Sequence, residues 1–174
     1  GLSEKAWPLY VKANEVQPGV DLFQSNMAAC AVYLGKIEEA REIYLKLLER
    51  FPDHRRNHYQ LSRLQKARDF EHIDRMKGIL ARGDAPPEHN IPLYFAIAKE
   101  LEDLEQWDES FEYYRKAGDA VTKVANYDVA KDIALIDKVI EVCDADWLAD
   151  HAGDTQQDDS GKTPIFVVGL PRTG

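Results

Sequence analysis

Residues 35–52 read GKIEEAREIYLKLLERFP, and residues 1–18 read GLSEKAWPLYVKANEVQP. Laid over one another with a shift of 34 residues, they pair Gly1 with Gly35, Glu4 with Glu38, Ala6 with Ala40 and Tyr10 with Tyr44. Lys12 meets Lys46, Glu15 meets Glu49 and Pro18 meets Pro52. One more step from Pro52 reaches Pro86, and WDESFEYYRKAGDA at Trp107–Ala120 matches Ile37–Arg50 at a spacing of 70 residues, two periods plus two inserted residues. A fixed period of this size marks a stacked supersecondary unit, each copy burying the apolar face of its neighbour.

The repeated residues have physical tasks. Gly35 tolerates the positive φ of a tight turn between helices. Ala40 lets two helices approach closely, while Tyr44 and Leu47 follow at helical spacing and fill the space between neighbours. Pro52 ends the second helix. The pattern resembles the tetratricopeptide repeat, a helix–turn–helix unit of this period. The match is strong over Asp21–Asp53, good over Ile91–Ala120 and clear for the half-repeat Gly1–Pro18. It is weak over Arg55–Glu88, where Gly78 stands at a position that should be bulky. The fold class expected is all-α, a right-handed solenoid of antiparallel helix pairs followed by an extended C-terminal tail. Helices are predicted near 4–16, 21–34, 36–51, 54–67, 69–82, 91–104, 107–120 and 127–143, with a short one at DADWLAD. Pro8 predicts a late start for the first, near Trp7. Val129, Ile133, Ile136 and Ile140 line one face of a helix expected to cover the last repeat. The divisions expected are repeats with their covering helix over 1–143, an acidic linker over 144–163, and an apolar strand with a glycine loop over 164–174.

With 174 residues, 44% apolar and 30% charged, the chain can build a core. A net charge of −9 argues against a generic nucleic-acid binder. No run of apolar residues in the sequence is long enough to span a membrane. Cys30 and Cys143 stand far apart and read as reduced, partly buried thiols, in keeping with an expected cytoplasmic location. His54 and His58 have the i, i+4 spacing of a metal pair, but no Glu or Cys completes a ligand set, so they read as a solvated pair and no metal is assigned. ELEDLEQWDESFE reads as solvated repeat surface.

Arg55, Arg56, Arg63, Lys66, Arg68, Arg75, Lys77 and Arg82 make the middle repeat basic within an acidic chain. The resemblance implies that the first helix of each repeat lines a concave face, which would gather Asn26, Tyr33, Tyr59, Arg63, Lys66 and Lys99 along one groove. Tyrosine faces and cationic side chains there would suit a protein or peptide partner, an acidic one in particular. A solvated face that serves only solubility is the plainer reading.

The chain closes on TPIFVVGLPRTG. A continuous apolar run that enters a glycine loop is how phosphate-binding sites begin, and Gly169-x-x-x-x-Gly174 is also the first part of a nucleoside-triphosphate loop. Pro164, Ile165, Phe166, Val168, Gly169, Pro171, Arg172 and Gly174 closely resemble the 5′-phosphosulfate loop of sulfotransferases, above all the family that includes tyrosylprotein sulfotransferases, with Thr173 in place of the usual Ser. FAIAKELEDLEQWDESFEYYRKA followed by IALIDKVIEV also resembles bacterial fusions of tetratricopeptide repeats to sulfotransferases. The resemblance implies a parent enzyme that takes 3′-phosphoadenosine 5′-phosphosulfate (PAPS) as cosubstrate, with Arg172 facing the phosphosulfate and Gly169, Pro171, Thr173 and Gly174 shaping the loop. The remaining machinery would lie downstream, so residues 1–174 alone are expected to be inactive and to hold no cofactor. The alternatives are a repeat module of a P-loop hydrolase or kinase, and a stand-alone adaptor. The half-repeat at the start would leave Ala6, Leu9, Tyr10 and Ala13 bare, which implies further repeats upstream, and self-association through that face or through the C-terminal strand.

Overall fold

The computed structural model describes residues 1–151, which fall into two units divided after Asn126. The first unit holds seven α-helices: α1 (Leu2–Val16), α2 (Asp21–Tyr33), α3 (Ile37–Arg50), α4 (Arg55–Leu64), α5 (Glu71–Ala81), α6 (Ile91–Asp103) and α7 (Trp107–Val124). A 3-10 turn, Pro87–Asn90, leads into α6. The second unit contributes α8 (Val129–Val142) and α9 (Ala145–His151). No strand occurs among the described residues.

Equivalent turns close equivalent helix pairs. After α2, the Gly35 N–H donates to the Val32 carbonyl and the Lys36 N–H to that of Ala31, with φ +74 at Gly35. After α6, Glu105 donates to Glu102 and Gln106 to Leu101, with φ +60 at Glu105. Both are Schellman turns, which satisfy the last helical carbonyls by one left-handed residue. The repeat also predicts burial: Ala40 and its counterpart Ser110 are buried, as are Leu47 and Ala117.

The middle repeat departs from the period. α4 stops at Leu64, and Gln65–Phe70 spans six residues where Leu34–Lys36 and Leu104–Gln106 span three. Side chains of α6 hold this longer connection: Lys99 Nζ donates to the Gln65 carbonyl (2.5 Å), and Asp103 accepts the Ala67 N–H (2.9 Å) and pairs with Lys99 (2.5 Å). The core of α5 is then Ile73, Met76 and Ile79, while Gly78 is exposed with open space around it. The bulky residue expected at 78 stands at 79.

α1 runs straight through Pro8 instead of starting near Trp7. Contacts from α2 and the turn after it hold the residues before the proline. The Cys30 thiol donates to the Ser3 carbonyl (3.3 Å), and the Lys36 ammonium lies 4.1 Å from the Trp7 ring centre. Of the apolar face expected to lie bare, Leu9 is exposed, whereas Ala6, Tyr10 and Ala13 are half-buried.

Two apolar clusters carry the first unit. Ala28, Tyr44, Leu47, Leu48 and Leu61 join α2, α3 and α4. Ile73, Met76, Ile79, Leu93, Ile97 and Leu101 join α5 to α6, with Tyr59 and Tyr113 against them. α4 packs on both α3 and α6. In the second unit Val129, Ile133, Ile136 and Ile140 are exposed. Asp128 caps α8 by accepting the Ala130 N–H (3.0 Å). Cys30 is a buried free thiol and Cys143 an exposed one, so only the first matches the buried reading.

Candidate functional site

A cleft of about 160 Å³ lies between α2 and α4, lined by Ser25, Asn26, Tyr44, His54, Asn57 and Gln60 among others. Asn57 is 1% exposed. Its Oδ1 accepts from Ser25 Oγ (3.3 Å), and its Nδ2 has no hydrogen-bond partner. A buried amide donor left without an acceptor costs about 1–3 kcal/mol. A carbonyl or carboxylate oxygen entering the cleft would remove that cost. His54 caps α4 from below, its Nδ1 accepting the Asn57 N–H (3.2 Å), and burial pushes the Tyr44 phenol up.

A row of rings continues from α4 to α7. The Arg63 guanidinium lies 5.5 Å from the Tyr59 ring centre, Tyr59 is 6.3 Å from Phe95, and Phe95 is 6.2 Å from Tyr114. Offset rings at such distances attract one another, and the cation adds to the face it covers. The Tyr114 hydroxyl donates to Glu102 Oε2 (3.0 Å). Burial, and then that carboxylate, push its pKa up to about 12.

The six groove residues named from sequence therefore have different placements. Asn26 lines the α2–α4 cleft, and Tyr59 and Arg63 stack on each other. Tyr33 is exposed at the end of α2. Lys99 is engaged with Gln65 and Asp103, while Lys66 lines a separate cavity beside the α4–α5 connection. Phe95 and Asn57 escaped the sequence reading. Phe95 was within reach of it, because the 36-residue spacing between Arg63 and Lys99 also relates Tyr59 to Phe95. Gly169, Pro171, Arg172, Thr173 and Gly174 lie outside the described residues, as does the strand expected at Ile165–Val168.

His54 and His58 do not form a solvated pair. His58 is wholly buried and belongs to a chain of hydrogen bonds that crosses three helices. Its Nε2 lies 2.7 Å from the Pro52 carbonyl, its Nδ1 lies 2.8 Å from His72 Nε2, and His72 Nδ1 lies 2.6 Å from Glu100 Oε1. A carbonyl only accepts, so His58 carries its proton on Nε2 and accepts at Nδ1. His72 must then donate from Nε2. One further proton is shared between His72 Nδ1 and Glu100 Oε1. Burial pushes His58 down to about 4, which keeps it neutral as this order requires. Glu100 is 1% exposed and its Oε2 has no hydrogen-bond partner.

The tetratricopeptide repeat family profile matches residues 24–54. An uncharacterized protein of Aquifex aeolicus (strain VF5) is 29% identical over 141 residues, 81% of this chain. The chain spans 18% of that relative's length. Among solved structures, the MamA RS-1 ArsTM double mutant superposes with a TM-score of 0.52 at 15% identity, covering 86% of this chain and 81% of that one. MamA MSR-1 C2 gives 0.47 at 18% identity, over 72% and 71%. The fold is a tetratricopeptide-like helical solenoid.

Proposed function

We propose that the repeats bind an extended, acidic peptide segment and hold it for a PAPS-dependent sulfotransferase on the same polypeptide. The observation that carries the binding half is Asn57 Nδ2, a buried donor without a partner in the cleft between α2 and α4. An extended backbone offers the carbonyl it lacks. Arg63 over Tyr59, with Phe95 and Tyr114 beyond, supplies a face for an acidic or aromatic side chain on the same segment.

Titrating an acidic tyrosine-containing peptide into the protein tests this half. Asn57→Ala and Arg63→Glu should each weaken binding about tenfold. Unchanged affinity in Arg63→Glu rejects an acidic partner, and unchanged affinity in Asn57→Ala rejects the cleft.

The sulfotransferase half is supported by the loop residues Pro164–Gly174 and by the order of segments before them. The full-length polypeptide should bind PAPS more tightly than ATP, and Arg172→Ala should abolish that preference. Tighter binding of ATP would favour the P-loop reading, for which the Gly169–Gly174 spacing also speaks.

A further inference from the structure

A second cavity, of about 550 Å³, lies where the α4–α5 connection meets α3 and α6. Its size suits a small-molecule ligand. It exists because the connection is longer than its counterparts: Gln65–Asp69 form one wall, Arg41 of α3 another, and His72 and Glu100 also line it.

The charges that line it are not equally available. Arg41 Nε donates to Gln65 Oε1 (3.0 Å) and its Nη1 lies 3.8 Å from Glu38. Asp69 Oδ1 accepts the Glu71 N–H (3.0 Å). His72 is held between His58 and Glu100. Beside the exposed carboxylates of Glu38 and Asp69, what remains is one buried acceptor, Glu100 Oε2, and two exposed cations, Lys66 and Arg68, which make no ion pair among the described residues. The proton of the buried chain sits at Oε1 or at His72 Nδ1, so in either state Oε2 accepts and cannot donate.

We propose that this cavity binds a small zwitterion of amino-acid or dipeptide size, its ammonium donating to Glu100 Oε2 and its carboxylate paired with Lys66 and Arg68. An ammonium supplies the donor that the buried oxygen lacks, and a charge-assisted bond is the stronger kind. A simple cation would meet Lys66 and Arg68 unfavourably, and a simple anion would leave Oε2 unsatisfied. This site lies at the intra-repeat turns, apart from the α2–α4 cleft, and stands or falls independently of peptide binding there.

Amide NMR of the whole chain, titrated with glycylglycine, N-acetylglycylglycine and glycylglycinamide at millimolar concentration, tests the assignment. Glycylglycine should shift the resonances of Gln65–His72 and Glu100, and both capped forms should bind at least tenfold more weakly. Glu100→Gln can still donate to His72 and point a carbonyl oxygen at the cavity, but without charge. It should lose the preference for the free amine. Lys66→Ala/Arg68→Ala, confined to exposed side chains, should lose the preference for the free carboxylate and keep that for the amine. Equal binding of the acetylated dipeptide, or no shift with any of the three, overturns the proposal. If Glu100→Gln fails to fold, the wild-type comparison and the exposed double variant decide alone.

Discussion

Glu105 occupies at the end of α6 the left-handed backbone position that Gly35 occupies at the end of α2, with φ of +60 and +74. The two turns use the same hydrogen bonds. A side chain at such a φ costs roughly 1 kcal/mol, and glycine escapes that cost. Glu105→Gly should therefore raise stability by about 0.5–1 kcal/mol in urea denaturation, even though it adds backbone freedom to the unfolded chain. Gly35→Ala should lower it by roughly 1 kcal/mol.

His58 makes stability depend on pH. Its folded pKa of about 4 lies below the ordinary value of 6.5, mainly through burial, with His72 and Arg75 acting in the same direction and the Pro52 carbonyl and Asp53 against them. The unfolded chain thus takes up the proton first. The contribution is full above pH 6.5 and is lost as pH falls from there towards 4, with a total of roughly 3 kcal/mol. Urea titrations across that range should show the decline. His58→Gln, which can preserve both hydrogen bonds without titrating, should flatten it.

Ala40 and Ser110 sit at the same point of repeats two periods apart, both buried. Ser110 Oγ donates to the Ala98 carbonyl (2.8 Å), so its hydroxyl is satisfied. Ser110→Ala should cost about 1 kcal/mol. Ala40→Leu would overfill the close approach of neighbouring helices and cost about 1–3 kcal/mol. Thermal melts of the two variants order these effects.

Leu101 and Ile97 are fully buried in the α5–α6 cluster. Truncation to Ala should cost about 2–5 kcal/mol at each site. Leu9, exposed on α1, should tolerate the same change within about 0.5 kcal/mol.

Cys143 is exposed and Cys30 is buried with its thiol on Ser3. A thiol reagent should label one equivalent rapidly and the second only on unfolding. Cys143→Ser should remove the rapid phase.

Legibility in the sequence followed the period. Gly35, Ala40, Tyr44 and Pro52 place α2 and α3 within a residue or two, because turn and packing residues recur where the geometry demands them. The period fails at Gln65–Phe70, where no local pattern shows that α4 will end early and that Lys99 and Asp103, over thirty residues away, will hold the chain there. The histidine chain was hidden for the same reason. His58 looks solvated beside His54, and only the fold brings His72 and Glu100 to it. Pro8 misled because helix propensity weighs the lost bond but not the contacts that α2 makes with Ser3.

Helix α4 contributes Leu61 to one apolar cluster and Tyr59 to the other. The two clusters therefore share one helix of ten residues. Amide protons of α4 should exchange with solvent only when both clusters open, which makes them the slowest in the array. A ligand that stiffens α4 would retard opening on both sides at once, so occupancy at one repeat would be felt as resistance to unfolding two repeats away.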